Sequence, residues 1–130
     1  MTGTQKVAVV TGASSGIGKA SALALMKQGY AVVFSGRRKE LLEAAAAEGK
    51  GTPGKSLVVQ TDVTSHESIK ALFAKTKETF GRLDVLFNNA GGGAPPVLFE
   101  DLTYDQWQNV VNANLTGVFL CSQEAFKIMK

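Results

Sequence analysis

The stretch Thr11-Gly12-Ala13-Ser14-Ser15-Gly16-Ile17-Gly18 lies between an apolar run, Val7-Ala8-Val9-Val10, and residues 19–28, which read as a helix closed by Gly29. A continuous β-prone run marks a strand buried on both faces. Glycines spaced G-x-x-x-G-x-G directly after it mark a tight strand-to-helix turn. A helix start carries unpaired N–H groups and the positive end of the helix dipole, so such a turn suits an anion. Glycine permits the tight bend and lets a ligand approach the backbone. Ser14 and Ser15 add hydroxyl donors, and Ile17 is expected to pack down as the floor of the turn. The turn lacks the Lys-Ser/Thr ending of nucleotide triphosphatases, and the competing reading is a plain structural corner.

Working outward, Ala31-Val32-Val33-Phe34 reads as a second buried strand and residues 39–48 as a second helix. Residues 49–54 form a loop of helix breakers, and Leu57-Val58-Val59 is a third strand. Thr64 and Glu67 have the spacing of a capping box, followed by Ile69, Leu72, Phe73 and Phe80 on one helical face. Residues 83–87 read as a fourth strand, and residues 91–96 as a Gly/Pro loop. Thr103 is expected to open one long final helix with Trp107, Val110, Val111, Leu115, Val118, Phe119, Phe126 and Met129 as its apolar positions. Trp107 reads as core, and Asn112 as a surface residue. The order βαβαβαβα predicts an α/β, Rossmann-like doubly wound fold: four parallel strands with right-handed helical crossovers. Residues 1–130 read as one domain, incomplete because a doubly wound dinucleotide fold normally has a second half. An unpaired strand edge and exposed apolar surface are therefore expected.

Composition narrows the function. A 130-residue chain with 45% hydrophobic and 19% charged residues is globular rather than disordered. Its 14 Lys and Arg against 11 Asp and Glu are scattered, so the net charge of +3 does not form a nucleic-acid-binding patch. No apolar run reaches the roughly 18 residues that cross a bilayer. Met1 to Lys6 is polar and lacks a signal-peptide core, and the lone Cys121 fits a reducing compartment, so a cytoplasmic location is expected. Cys121 reads as a small buried apolar residue, His66 has no partner in sequence, and no cluster of metal-ligand spacing is present.

Four segments together resemble the short-chain dehydrogenase/reductase family: Thr11 to Gly18, Asp62-Val63, Asn88-Asn89-Ala90-Gly91, and Asn114-Leu115-Thr116-Gly117. The resemblance implies a nicotinamide dinucleotide cofactor and hydride transfer to or from a small carbonyl or alcohol substrate. It implies cofactor contacts from Gly12, Ser14, Ser15, Gly16, Ile17 and Gly18 in the turn. It also implies that Asp62 accepts from the adenine amino group while the Val63 backbone lines the ring, although a helix-cap role for Asp62 remains open. Asn89, Ala90 and Gly91 are expected beside the ribose, with Asn88 bracing the sheet. Asn114 is expected to kink the final helix and to hold a water of the proton relay; the plainer reading is a buried, hydrogen-bonded Asn.

The second strand ends in Ser35-Gly36-Arg37-Arg38. Dinucleotide folds that use NAD place an acid roughly 20 residues past the glycines, on the ribose 2′-hydroxyl. Guanidiniums there suit a 2′-phosphate instead, so Arg37 and Arg38 favour NADP over NAD. The bland alternative is the solvated start of a helix, where cations are unfavourable.

The family's catalytic Tyr-x-x-x-Lys pair is not found: Tyr30 is followed by Phe34, and Tyr104 by Gln108. Two readings follow. Either these residues are the cofactor-binding part of an NADP-dependent oxidoreductase and are inactive alone, or they form a complete, non-catalytic dinucleotide-binding or interaction module. The resemblance and the expected apolar surface both imply a homo-oligomer.

Overall fold

A computed structural model describes residues 5–130; the polar reading of residues 1–4 falls outside the described residues. The opening apolar run becomes β1 (Val7–Thr11), fully buried along its length. It is followed by α1 (Gly16–Lys27), β2 (Ala31–Gly36), α2 (Lys39–Ala47), β3 (Lys55–Gln60), α3 (His66–Phe80) and β4 (Val85–Phe87). A short 3₁₀ turn (Phe99–Asp101) precedes α4 (Tyr104–Val111), which passes through a π-helical turn at Asn112–Thr116 into α5 (Gly117–Met129). The sheet order is β3-β2-β1-β4, all parallel, with Val9 level with Val33 on one side and Leu86 on the other. The expected four-stranded Rossmann-like α/β architecture is present.

Alternation along the central strands divides the core in two. Val7, Val9, Ala31 and Val33 face Ile69, Leu72 and Phe73 of α3 and Cys121 and Ala125 of α5. Val10, Val32 and Phe34 face Ala22 and Met26 of α1 and Leu42, Ala45 and Ala46 of α2. Each central strand is thus covered on both faces, which is why its sequence is continuously apolar rather than alternating. Phe34, Phe73 and Leu42 are fully buried, and a buried side chain of that size contributes about 1.5–3 kcal/mol. Cys121 is buried as expected, and burial pushes its thiol up to about 11.

Three local expectations are corrected. The cap of α3 is Ser65, whose hydroxyl accepts from the Ser68 N–H at 3.2 Å, and not Thr64 with Glu67. Thr64 is committed elsewhere: its N–H and its hydroxyl both donate to Asp62 Oδ1, at 2.9 and 2.6 Å. The final helix does run unbroken from Tyr104 to Met129, with the π turn inside it, and Thr103 caps it in a reciprocal capping box with Gln106. Trp107 is 56% exposed, so it is not core, and Asn112 is half-buried, accepting from the Gln108 side chain at 3.0 Å.

β4 is shorter than the run at 83–87 implied. Asp84 lies outside the strand because its carboxylate accepts from the Val7 N–H at 2.8 Å and from Arg82 Nε at 2.9 Å. The Arg82 guanidinium, more than any other neighbour, holds the Asp84 carboxyl below its ordinary value. Among the described residues β4 has a strand partner on one side only, and Leu115, Phe119 and Phe126 of the final helix are each at least 60% exposed. No helix of the described residues is long and apolar enough to cross a membrane.

Candidate functional site

The carboxyl ends of all four strands open on one edge of the sheet, where doubly wound folds bind ligands. A groove of about 850 Å³ runs along that edge, a size suited to a small molecule or cofactor. Of the residues singled out in the sequence, Gly12, Ser14, Arg37, Arg38, Asp62, Val63, Ala90 and Gly91 line it. Four segments far apart in the chain therefore converge on one surface.

Two residues of the glycine turn, Gly12 and Ser14, line the groove. Gly12 and Gly16 take φ of +66° and +57°, a region that residues with a Cβ adopt only under strain. A Cβ at Gly16 would meet open space, so the turn leaves room above the helix start. Gly18 is different: a Cβ there would strike the Gly12 carbonyl, so this glycine brings α1 down onto the turn. No side chain caps α1, and its first turn contains no acidic residue. The helix start is thus a positive, uncapped end. Ile17 corrects its expectation. It is 72% exposed and packs no floor; the floor of the turn is Ala13, fully buried and tied by its N–H to the Ser35 carbonyl at 3.0 Å. Ser15 is exposed, and neither it nor Gly16, Ile17 or Gly18 lines the groove itself.

Thr11 is a residue that the sequence reading missed. Its hydroxyl accepts from the N–H groups of Asn89 and Ala90, at 3.0 and 2.9 Å, locking the end of β4 to the end of β1. Asn89 Nδ2 reinforces this by donating to the Gly12 carbonyl at 3.2 Å. The Asn89 side chain therefore braces the turn instead of lining the groove. Asn88 Nδ2 donates to the Ser122 hydroxyl on α5 at 3.2 Å, a contact that holds helix to strand.

Asp62 is held from both ends. Its N–H donates to the Ser68 hydroxyl at 2.9 Å, while Oδ1 takes both bonds from Thr64. The Thr64 hydroxyl, then its N–H, and more weakly the Arg37 charge hold the Asp62 carboxyl below its ordinary value. The carboxylate is thus ionised at neutral pH, and Oδ2 is left open to accept from a ligand. Val63 is fixed close by, because a Cβ on Gly117 would come within 2.8 Å of the Val63 carbonyl.

Asn114 lies outside the groove lining but fixes one wall of it. Its Nδ2 donates to the Gly92 carbonyl at 2.6 Å and to the Val110 carbonyl at 2.9 Å. Val110 O is the acceptor that a regular α-helix would pair with the Asn114 N–H, so the side chain competes with the helix ladder at the place where the π turn occurs. Asn109, Val110 and Ala113 line the groove through this segment; of these the sequence marked only Val110, as an apolar helix position. Gly36, Thr61, Gly92 and Gly93 also line it, being neighbours of residues that were singled out.

Comparison with known proteins gives the family. The short chain dehydrogenase family model matches residues 6–130. The chain belongs to that family. Over 126 residues it is 40% identical to a 3beta-hydroxysteroid dehydrogenase of Mediterraneibacter gnavus, covering 97% of this chain and 46% of that protein. Over 127 residues it is 41% identical to a 3-oxoacyl-(acyl-carrier-protein) reductase of Synechocystis, covering 97% and 51%. Among solved structures it is similar to an alcohol dehydrogenase of Thermococcus sibiricus complexed with 5-hydroxy-NADP, with a TM-score of 0.90 and 34% identity, covering 95% of this chain and 53% of that one. The chain thus spans about half the length of the relatives it matches.

Proposed function

We propose that these residues are the cofactor-binding part of an NADP-dependent oxidoreductase, which transfers hydride between the nicotinamide and a small carbonyl or alcohol substrate. The observation that carries this reading is the convergence of the uncapped glycine turn, the Asp62–Val63 loop and the Arg37–Arg38 pair on one groove. The solved relative's 5-hydroxy-NADP supports the same cofactor class.

In this reading the N–H groups of the glycine turn hold the pyrophosphate. Asp62 Oδ2 accepts from the adenine amino group, and Ala90 and Gly91 lie along the ribose. Arg37 and Arg38 face a 2′-phosphate with donors that an NAD ribose would leave unused. The nicotinamide, when bound, supplies or accepts the hydride. Asn114 holds the Gly92 wall through its side chain, and its place in a π turn supports the role that the family resemblance implies for it, holding a water on the proton route. The Tyr-x-x-x-Lys pair that the family uses to move that proton is not among these 130 residues. They are therefore expected to bind cofactor without turning it over. The protein is read as acting in the cytoplasm, as a homo-oligomer, without nucleic-acid or membrane partners.

The test is a pair of titrations, NADPH and NADH, on the chain and on an Arg37→Ala/Arg38→Ala variant. The expected result is a preference for NADPH of about tenfold or more, abolished in the variant, with NADH affinity little changed. Equal affinities in both proteins would contradict the NADP assignment.

A further inference from the structure

Asp62 has two neighbours that compete for its carboxylate. Thr64 holds Oδ1 through its hydroxyl at 2.6 Å and its N–H at 2.9 Å. Arg37 carries a full positive charge close enough to act on the same carboxylate, though more weakly. Arg37 and Asp62 border the groove together, and with Gln60, Thr61 and Ser68 they also border a second hollow of about 400 Å³. Yet no ion pair joins Arg37 to Asp62 among the described residues. Both backbones are pinned: the Asp62 N–H donates to the Ser68 hydroxyl at 2.9 Å, and the Arg37 carbonyl accepts from Gln60 Nε2 at 2.9 Å. Only the two side chains are left to turn towards each other.

We propose that Thr64 is a positioning residue that keeps Asp62 off Arg37, so that Asp62 Oδ2 stays free to read the base of a bound nucleotide and to distinguish adenine from hypoxanthine. The inference rests on the proposed function, in which Asp62 meets the adenine amino group, and adds to it the residue that keeps the carboxylate available.

Magnitudes decide which partner wins. A hydrogen bond to a charged group is among the stronger polar contacts in a protein, whereas a solvent-exposed ion pair contributes little. Two such bonds to Oδ1 therefore outweigh one exposed guanidinium. With the hydroxyl gone, only the N–H of residue 64 remains, and Arg37, whose fork of donors matches a carboxylate, can take both oxygens. Thr64 acts through Asp62, because its single hydroxyl proton is committed to Oδ1. Adenine presents an amino donor where hypoxanthine has a carbonyl oxygen. A fixed carboxylate oxygen accepts from the first and repels the second.

The test titrates 5′-AMP and inosine 5′-monophosphate calorimetrically, at neutral pH, into the wild-type chain, Thr64→Val, Thr64→Ser and Arg37→Ala/Thr64→Val. Wild type is expected to prefer AMP by about tenfold. Thr64→Val keeps the shape and the N–H. It is expected to cut that preference about fivefold with no loss of inosine monophosphate affinity, so that retained binding certifies the fold. Thr64→Ser restores the hydroxyl and should keep the wild-type preference. Removing Arg37 as well as the hydroxyl should return the preference to within about twofold of wild type, since the competing cation is gone. Equal weakening of both nucleotides in Thr64→Val would overturn the proposal, reducing the hydroxyl to a structural bond. So would an unchanged preference in Thr64→Val, a Thr64→Ser variant that behaves as Thr64→Val, or a preference that Arg37→Ala does not recover. A wild type that binds both nucleotides equally would remove Asp62 from base reading and this inference with it. A wild type that binds neither would overturn the proposed function together with the inference.

Discussion

Gly18 is a residue at which backbone geometry dictates side-chain identity. A Cβ there would collide with the Gly12 carbonyl, and the obstacle is backbone that cannot swing aside. Gly18→Ala should therefore cost about 1–3 kcal/mol of stability in chemical denaturation and displace the turn from its anion-binding geometry. Asp84 makes a second prediction at this scale. Arg82 depresses its folded-state pKa below the ordinary 3.8, so its contribution to stability is present above that value and is lost as pH falls through the lower folded value. Asp84→Asn, which keeps the shape but removes the charge, should destabilise the protein by about 1–2 kcal/mol at pH 7 and flatten the acid limb of its stability curve. An unchanged acid limb would remove Asp84 from the acid response. Cys121 makes a third: with its thiol near 11 and buried, it should resist alkylation at pH 8 until the chain unfolds.

At the level of elements, the central strands and the glycine turn were legible because single forces decide them. A strand covered on both faces has no freedom in its pattern, and a left-handed turn demands glycine. The cap of α3 was misread because two hydroxyl residues stand side by side, Thr64 and Ser65. Only the tertiary claim of Asp62 on Thr64 leaves the cap to Ser65. The π turn within the final helix was legible in one residue, Asn114, but its geometry was not. The amide could take Val110 O only together with Gly92 O, which arrives from a loop 22 residues away. Ile17 and Trp107 failed as packed residues for a common reason: an apolar side chain near a ligand edge or on an uncovered helix face finds little among the described residues to pack against. The groove wall from Asn109 to Ala113 carried no signal of that role, since it comes from where the helix lies rather than from residue type. Asn114→Ala should release the Gly92 wall, and hydrogen exchange of the amides at 91–93 should accelerate relative to wild type. Unchanged exchange there would show that the loop is held by other contacts.

For the molecule as a whole, the sheet order that gathers the site leaves β4 paired on one side among the described residues, and the final helix leaves Leu115, Phe119 and Phe126 exposed. Apolar surface of that kind seeks cover. Sedimentation of the chain over a wide concentration range should give a mass that rises with concentration, and Phe119→Glu/Phe126→Glu should suppress the rise; a constant monomer mass would remove self-association from the account. The groove depends on none of this, since its residues are tied to one another by bonds within the chain. Amide chemical shifts followed by NMR during addition of NADPH test its role most directly. The shifts are predicted to move first and furthest at residues 12–18, at Asp62 and Val63, and at Ala90 and Gly91. Saturating NADPH that leaves those amides in place, or that moves only residues on the opposite edge of the sheet, would contradict it.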